Sequence, residues 1–263
     1  MKRIATIVLS AILLITSVDA FAQPRPPRRN IHPSAKGFGL TFGYVHSSYS
    51  QRDWATDEVR TSSGLDGFVA GLSKDFRLIP GVLYFQTGLN YIYQNDPYEN
   101  TIAPLGIDTG IRIVGDRTEH YVGLPIRLKY TLPLTDRIGL GIDAGPTLLM
   151  GLSSKMKYRT RFSDEEASYV TYNIYSGKAD TEDVLTGKWD IGNWLLNESN
   201  LVPDGRLDRF DIMMGVALGA DFFDLFELRL GYDWGLVNRY RKDLADDLKL
   251  HRGQFTLSAS IRF

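Results

Sequence analysis

Cysteine is absent from the chain. No disulfide can brace the fold, so an exported protein of this sequence must be held by strand pairing and packing. No lipid can be attached through a cysteine after export either. Charge of one sign is also missing: 30 Lys and Arg stand against 31 Asp and Glu, a formal balance of -1. That leaves no basic footprint for nucleic acid. Long clean apolar runs are the third absence. Past the N-terminus, glycine and polar residues interrupt every apolar stretch, which excludes further membrane helices. What is present is 25 Gly, 14 Tyr and 13 Phe, a composition that favours an all-β chain of aromatic-rich strands and many turns.

The first residues have the three parts of a secretory signal. Lys2 and Arg3 are the charged start, residues 4–15 the apolar run, and Ala20-Phe21-Ala22 the small-residue cleavage site. The expectation is a signal peptide over 1–22 and a mature start at Gln23. The alternative, a retained membrane helix, is disfavoured because Thr6, Ser10, Thr16 and Ser17 interrupt the run and Asp19 closes it, short of the ~18 residues a span requires. Residues 23–36 (QPRPPRRNIHPSAK) are rich in Pro and Arg and read as a short periplasmic leader, with a basic ligand motif as the other reading.

From residue 38 on, period-two alternation takes over. Eight strands are expected, at 38–48, 65–76, 82–93, 120–132, 138–150, 209–221, 226–238 and the C-terminal segment. The last has Phe255, Leu257, Ala259, Ile261 and Phe263 on one face, and Gln254, Thr256, Ser258, Ser260 and Arg262 on the other. Connections alternate in length. Those at 78–81, 133–137 and 222–225 are tight, and those at 49–64, 94–119, 151–208 and 239–250 are long. Short turns at one end and long loops at the other are the pattern of an outer-membrane barrel. The expected fold is therefore one domain over 37–263, an all-β, eight-stranded, antiparallel up-and-down transmembrane β-barrel with long extracellular loops.

The polar face of these strands carries a mixed set of charges. Arg127, Lys129, Asp143, Asp211, Asp221, Glu227, Arg229, Asp233 and Arg262 are expected inside the barrel as an ionic network, with glycines making room beside them. An eight-stranded barrel is just wide enough to be filled by side chains, so a packed polar plug is expected rather than an open pore. Tyr44, Tyr49, Tyr91, Tyr93, Tyr130, Trp234 and Phe263 are candidates for interfacial girdles. Phe263, the aromatic last residue, is also the candidate assembly signal.

Residues 121–130 read YVGLPIRLKY and residues 139–147 read GLGIDAGPT. The Leu-Pro step, the terminal Lys-Tyr and the Gly-Pro strand resemble the PorT-like outer-membrane β-barrel family of Bacteroidetes, over roughly residues 37–263. The resemblance implies insertion in the outer membrane by the barrel-assembly machinery. It also implies an association with protein export, so secretion-system proteins join outer-membrane lipids as expected partners.

Other sites are weaker. His46-Ser47-Ser48, Glu119-His120 and His251 sit near extracellular strand ends, where some small barrels carry catalytic groups acting on lipid. Rim positions are polar for ordinary reasons, and no catalytic residue is assigned. Trp189 and Trp194, in the connection 151–208, could bind a partner or fold back over the barrel mouth, the second being favoured. Asp204, Asp208 and Asp211 near Gly205 hint at calcium, but their spacing does not match an EF-hand loop. No cofactor or metal is expected. The expected role is non-catalytic: an accessory of export or, alternatively, a surface-binding or envelope-stabilising barrel, with a rim lipid-modifying enzyme third.

Overall fold

The computed structural model describes residues 38–53, 59–61, 64–102, 111–135, 138–162, 165–176, 178–183, 207–223, 225–240 and 248–263. The expected signal peptide and leader lie outside them, as do Trp189, Trp194 and Asp204.

The strands are β1 (Phe38–Asp53), β2 (Val59–Thr61), β3 (Leu65–Ile79), β4 (Leu83–Ile102), β5 (Ile111–Pro133), β6 (Ile138–Phe162), β7 (Glu165–Asn173), β8 (Lys178–Asp183), β9 (Phe210–Phe222), β10 (Phe226–Gly235) and β11 (Leu248–Arg262). Eight of them close a ring. The path β1–β3–β4–β5–β6–β9–β10–β11 returns to β1, and every pairing is antiparallel. The remaining three extend it: β2 pairs with the far end of β1, β7 with β6, and β8 with β7. The expected eight-stranded up-and-down barrel is the observed fold.

Side chains of a strand alternate between its faces, and here the usual placement is inverted. Leu218 is 62% exposed and Phe42 65%, whereas Lys129 is 1% exposed. Leu40, Leu128, Ile142, Leu228 and Leu257 continue the exposed apolar surface around the ring. A belt this extensive is the lipid-facing surface of a transmembrane barrel.

The two ends differ. Phe38 N–H donates to Phe263 O at 3.2 Å and Phe263 N–H to Phe38 O at 2.9 Å, so the first and last strands start and finish together. Tight turns lie at the same end. One carries Gly81 at φ 77°, a left-handed conformation that glycine adopts without steric cost. This is the periplasmic end. Toward the other end, β4, β5 and β6 run for 20, 23 and 25 residues, about twice the ~9–11 that cross a bilayer. Their surplus joins β7 and β8 in an extracellular sheet. The connections expected at 94–119 and 151–208 are thus partly strand. Above the lipid the outward face no longer has to be apolar, so the hydrophobic signal stops before the strand does.

One local feature holds the β5–β6 seam. The register jumps from Pro125↔Thr147 to Leu128↔Ala144, and Gly145 in the gap has φ 152°. A Cβ there would lie 2.2 Å from Ile126 O. Gly145→Ala therefore adds backbone strain and a clash with main chain. The expected cost is about 2–3 kcal/mol, read as a lower urea midpoint of the refolded barrel in detergent. An unchanged midpoint would mean the seam yields freely.

Candidate functional site

The interior is built in layers. At the periplasmic end, Lys129 Nζ lies 2.6 Å from Glu227 Oε1 and 3.4 Å from Asp221 Oδ1. Arg262 also pairs with Glu227, and its Nη1 is 2.8 Å from Asp75 Oδ2. Gln86 Nε2 donates to Asp75 Oδ1 at 2.8 Å. Above this cluster, Arg229 forms a fork with Asp143 at 2.8 and 2.6 Å. Arg127 pairs with Asp233 and donates to Thr147 Oγ1 at 2.8 Å. Gly215 makes room for that pair: a Cβ there would come 2.0 Å from Asp233 Oδ1 and 2.7 Å from Arg127 Nη1. Val45, Val69, Ile92, Tyr121, Leu149 and Met213 then form a buried apolar cluster inside the ring.

The extracellular mouth holds the densest arrangement. Glu119 is fully buried. Its Oε1 accepts from Arg117 Nε at 3.0 Å, Arg117 Nη2 at 2.7 Å and Ser154 Oγ at 3.0 Å. Its Oε2 accepts from the hydroxyls of Tyr49 and Tyr121, both at 2.7 Å. The guanidinium of Arg117 stacks 4.6 Å over Tyr49, and that of Arg252 lies 4.2 Å over Tyr121. Arg239 donates to Tyr121 at 3.1 Å and to Asp208 O at 3.0 Å. Arg252 also donates to Ser47, Gln94 and Gln254. The cluster joins β1, β5, β6 and β11 to the segment after β10. It is a clamp across the mouth, built from charge-assisted hydrogen bonds and cation–π contacts. Tyr175 lies against it, since a Cβ on Gly151 would fall 1.9 Å from the Tyr175 hydroxyl.

This inside-out ring, with a salt-bridged interior and a lipid-facing exterior, accords with the sequence comparison. Residues 21–241 match the family described as outer membrane protein beta-barrel domain. The chain belongs to that family. It is an outer-membrane protein, and lipid is its environment. Among solved structures, this barrel is similar to Ail, the attachment invasion locus protein of Yersinia pestis, at 12% identity and TM-score 0.39. That match covers 87% of this chain and 99% of Ail. It is similar to Neisserial surface protein A at 12% identity and TM-score 0.37, covering 88% and 99%. It is also similar to the outer membrane protease OmpT of Escherichia coli at 11% identity and TM-score 0.26, covering 90% and 99%. No curated protein matches.

Of the nine charged residues expected inside this outer-membrane barrel, eight meet in the ion pairs above. Asp211 is buried too, but neither of its carboxylate oxygens has a hydrogen-bond partner. Asp75, Arg117, Glu119 and Arg239 are interior as well, where sequence reasoning did not place them, and Arg252 lies with them in the mouth. Tyr49 is a correction. It is buried in the mouth rather than part of a girdle, because it shares strand parity with Val45 and Ser47. Tyr44, Tyr91, Tyr130, Trp234 and Phe263 are exposed on the outside.

The rim candidates come apart in the same way. His46 lies outside, 2.8 Å from Asp66, while Ser47 faces inward toward Gln94 and Arg252. His120 is outside against Tyr91 while Glu119 is inside. Among the described residues no cluster of His, Asp and Glu could hold a metal.

Proposed function

We propose that this chain is a closed, non-catalytic outer-membrane barrel that works at the cell surface, presenting its extracellular sheet as a binding surface and stiffening the envelope. The observation that carries this reading is the continuation of β4, β5 and β6 far above the lipid belt, joined there by β7 and β8. A lumen filled with paired charges offers no route for cargo, so the work is assigned to the part outside. A rim enzyme is disfavoured because alternation separates His46 from Ser47, and because Glu119 already accepts five hydrogen bonds. The YVGLPIRLKY segment supports a second reading. In it the barrel is a PorT-like accessory of protein export, with secretion-system proteins as partners. In either case, Phe263 at the end of β11 is the signal read by the barrel-assembly machinery after removal of the signal peptide.

One experiment separates the two. The gene is deleted, then complemented with the full chain and with a trimmed chain in which an Asn-Gly turn joins the paired residues Met156 and Tyr172. Exported proteins are quantified in medium, surface and periplasm, beside surface attachment and detergent sensitivity of the cells. The surface reading expects normal export throughout, and attachment or resistance restored by the full chain alone. Cargo trapped in the periplasm and released by both chains would replace it with the export reading.

A further inference from the structure

The sheet register draws the outer boundary of the membrane across five neighbouring strands. Tyr44, Phe68, Tyr93, His120 and Ser153 occupy one row on the outward face. The rings are in contact: Phe68 and Tyr93 centroids are 5.4 Å apart, and those of Tyr93 and His120 5.2 Å. Tyr91, one row lower, hydrogen-bonds His120 Nδ1 at 2.6 Å. Such an aromatic band sits at the lipid–water interface. Two residues higher, about 7 Å along the strand, the row becomes His46, Asp66, Asn95, Thr118, Lys155 and Asn173. Lys157 stands in the row above, opposite Asp116.

A register shift opposite His120 and Tyr121 is what turns the lysines outward. Past it, Ser154 and Met156 are buried, so Lys155 and Lys157 point away from the mouth, Lys155 being exposed. The carboxylates at this level are occupied locally. Asp66 accepts from Tyr44 and His46, and Asp116 accepts from Thr118 at 3.1 Å. Among the described residues, neither lysine has a carboxylate within ion-pair distance. Two ammonium groups thus stand at head-group height, directly above an aromatic band.

From this juxtaposition we infer that Lys155 and Lys157 form a site for the phosphate of an outer-leaflet glycolipid head group, whose acyl chains lie against the aromatic band below. Basic residues placed at a membrane surface attract anionic head groups in this way. The site anchors the extracellular sheet to the lipid surface beside it.

The test uses the full folded barrel in detergent, titrated in native mass spectrometry with diphosphorylated lipid A, with dephosphorylated lipid A and with inorganic phosphate. The diphosphorylated form should bind roughly tenfold tighter than the dephosphorylated form, with the preference shrinking as salt rises. The double variant Lys155→Gln/Lys157→Gln should lose that preference, while Lys249→Gln on β11, a positive charge removed elsewhere, keeps it. Equal binding of the two lipids by the native chain, or a preference retained in the double variant, would overturn the proposal. Inorganic phosphate competing as well as lipid A would overturn the lipid assignment in favour of a free anion. The salt dependence of the native chain decides the matter even where a variant fails to fold.

Discussion

Lys129→Met is expected to lower the unfolding free energy by about 3–5 kcal/mol, the usual loss when one partner of a buried ion pair is removed. The substitution keeps the side-chain volume and takes away only the charge. Before it, Lys129 and Arg262 face Asp75, Asp221 and Glu227. After it, Arg262 alone faces three buried carboxylates. Urea titration of the refolded barrel, followed by gel mobility without boiling, measures the shift. Asp221→Asn added to Lys129→Met removes one of the stranded charges and should return more than half of the loss. If the double substitution is as unstable as the single, or worse, packing around Lys129 rather than charge balance governs this layer.

A comparable loss is expected at the other end. Glu119→Gln takes the anion away from five donors and leaves the guanidinium groups of Arg117, Arg239 and Arg252 buried together, costing about 3–5 kcal/mol. The effect should also be local. Hydrogen exchange should accelerate at the mouth, around residues 117–121 and 150–156, while the periplasmic layer below Arg127 keeps its protection. Uniform loss of protection along all eight ring strands would show that the mouth is not an independent clamp.

The barrel was legible because lipid imposes a strict rule on one face. Leu40, Phe42 and Tyr44, or Leu228, Leu230 and Tyr232, repeat every second residue with no exception to confuse the reading, and the charged residues between them could only lie inside. Two things escaped for physical reasons. The pairs themselves, such as Arg127 with Asp233 or Arg262 with Asp75, join residues more than a hundred positions apart, and only the register brings them together. The extracellular ends of β4 to β6 escaped because water relaxes the rule. In Gln94–Ile102 of β4 the outward positions include Asn95 and Pro97. The signal in β6 was present nonetheless, since Lys155, Met156, Lys157, Tyr158, Arg159, Thr160, Arg161 and Phe162 alternate strictly in charge. Tyr49 was equally readable: it lies an odd five positions after outward-facing Tyr44 and two after inward-facing Ser47.

The closing pair has a consequence for how the molecule is made. β1 meets β11 through a continuous register from Gly39↔Arg262 to Asp53↔Leu248, so the first strand finds its second neighbour only when the last one exists. Every other ring contact joins neighbours along the path of the chain, whereas this one must bring together ends some two hundred residues apart, at the greatest loop-closure cost. A polypeptide that stops short of residue 248 lacks both seams of β11 and keeps two raw edges, on β1 and β10, each a template for aggregation. The ring is therefore a test of completeness: β11 must be made before the molecule can shut, and a product lacking it is left with an unsealed margin.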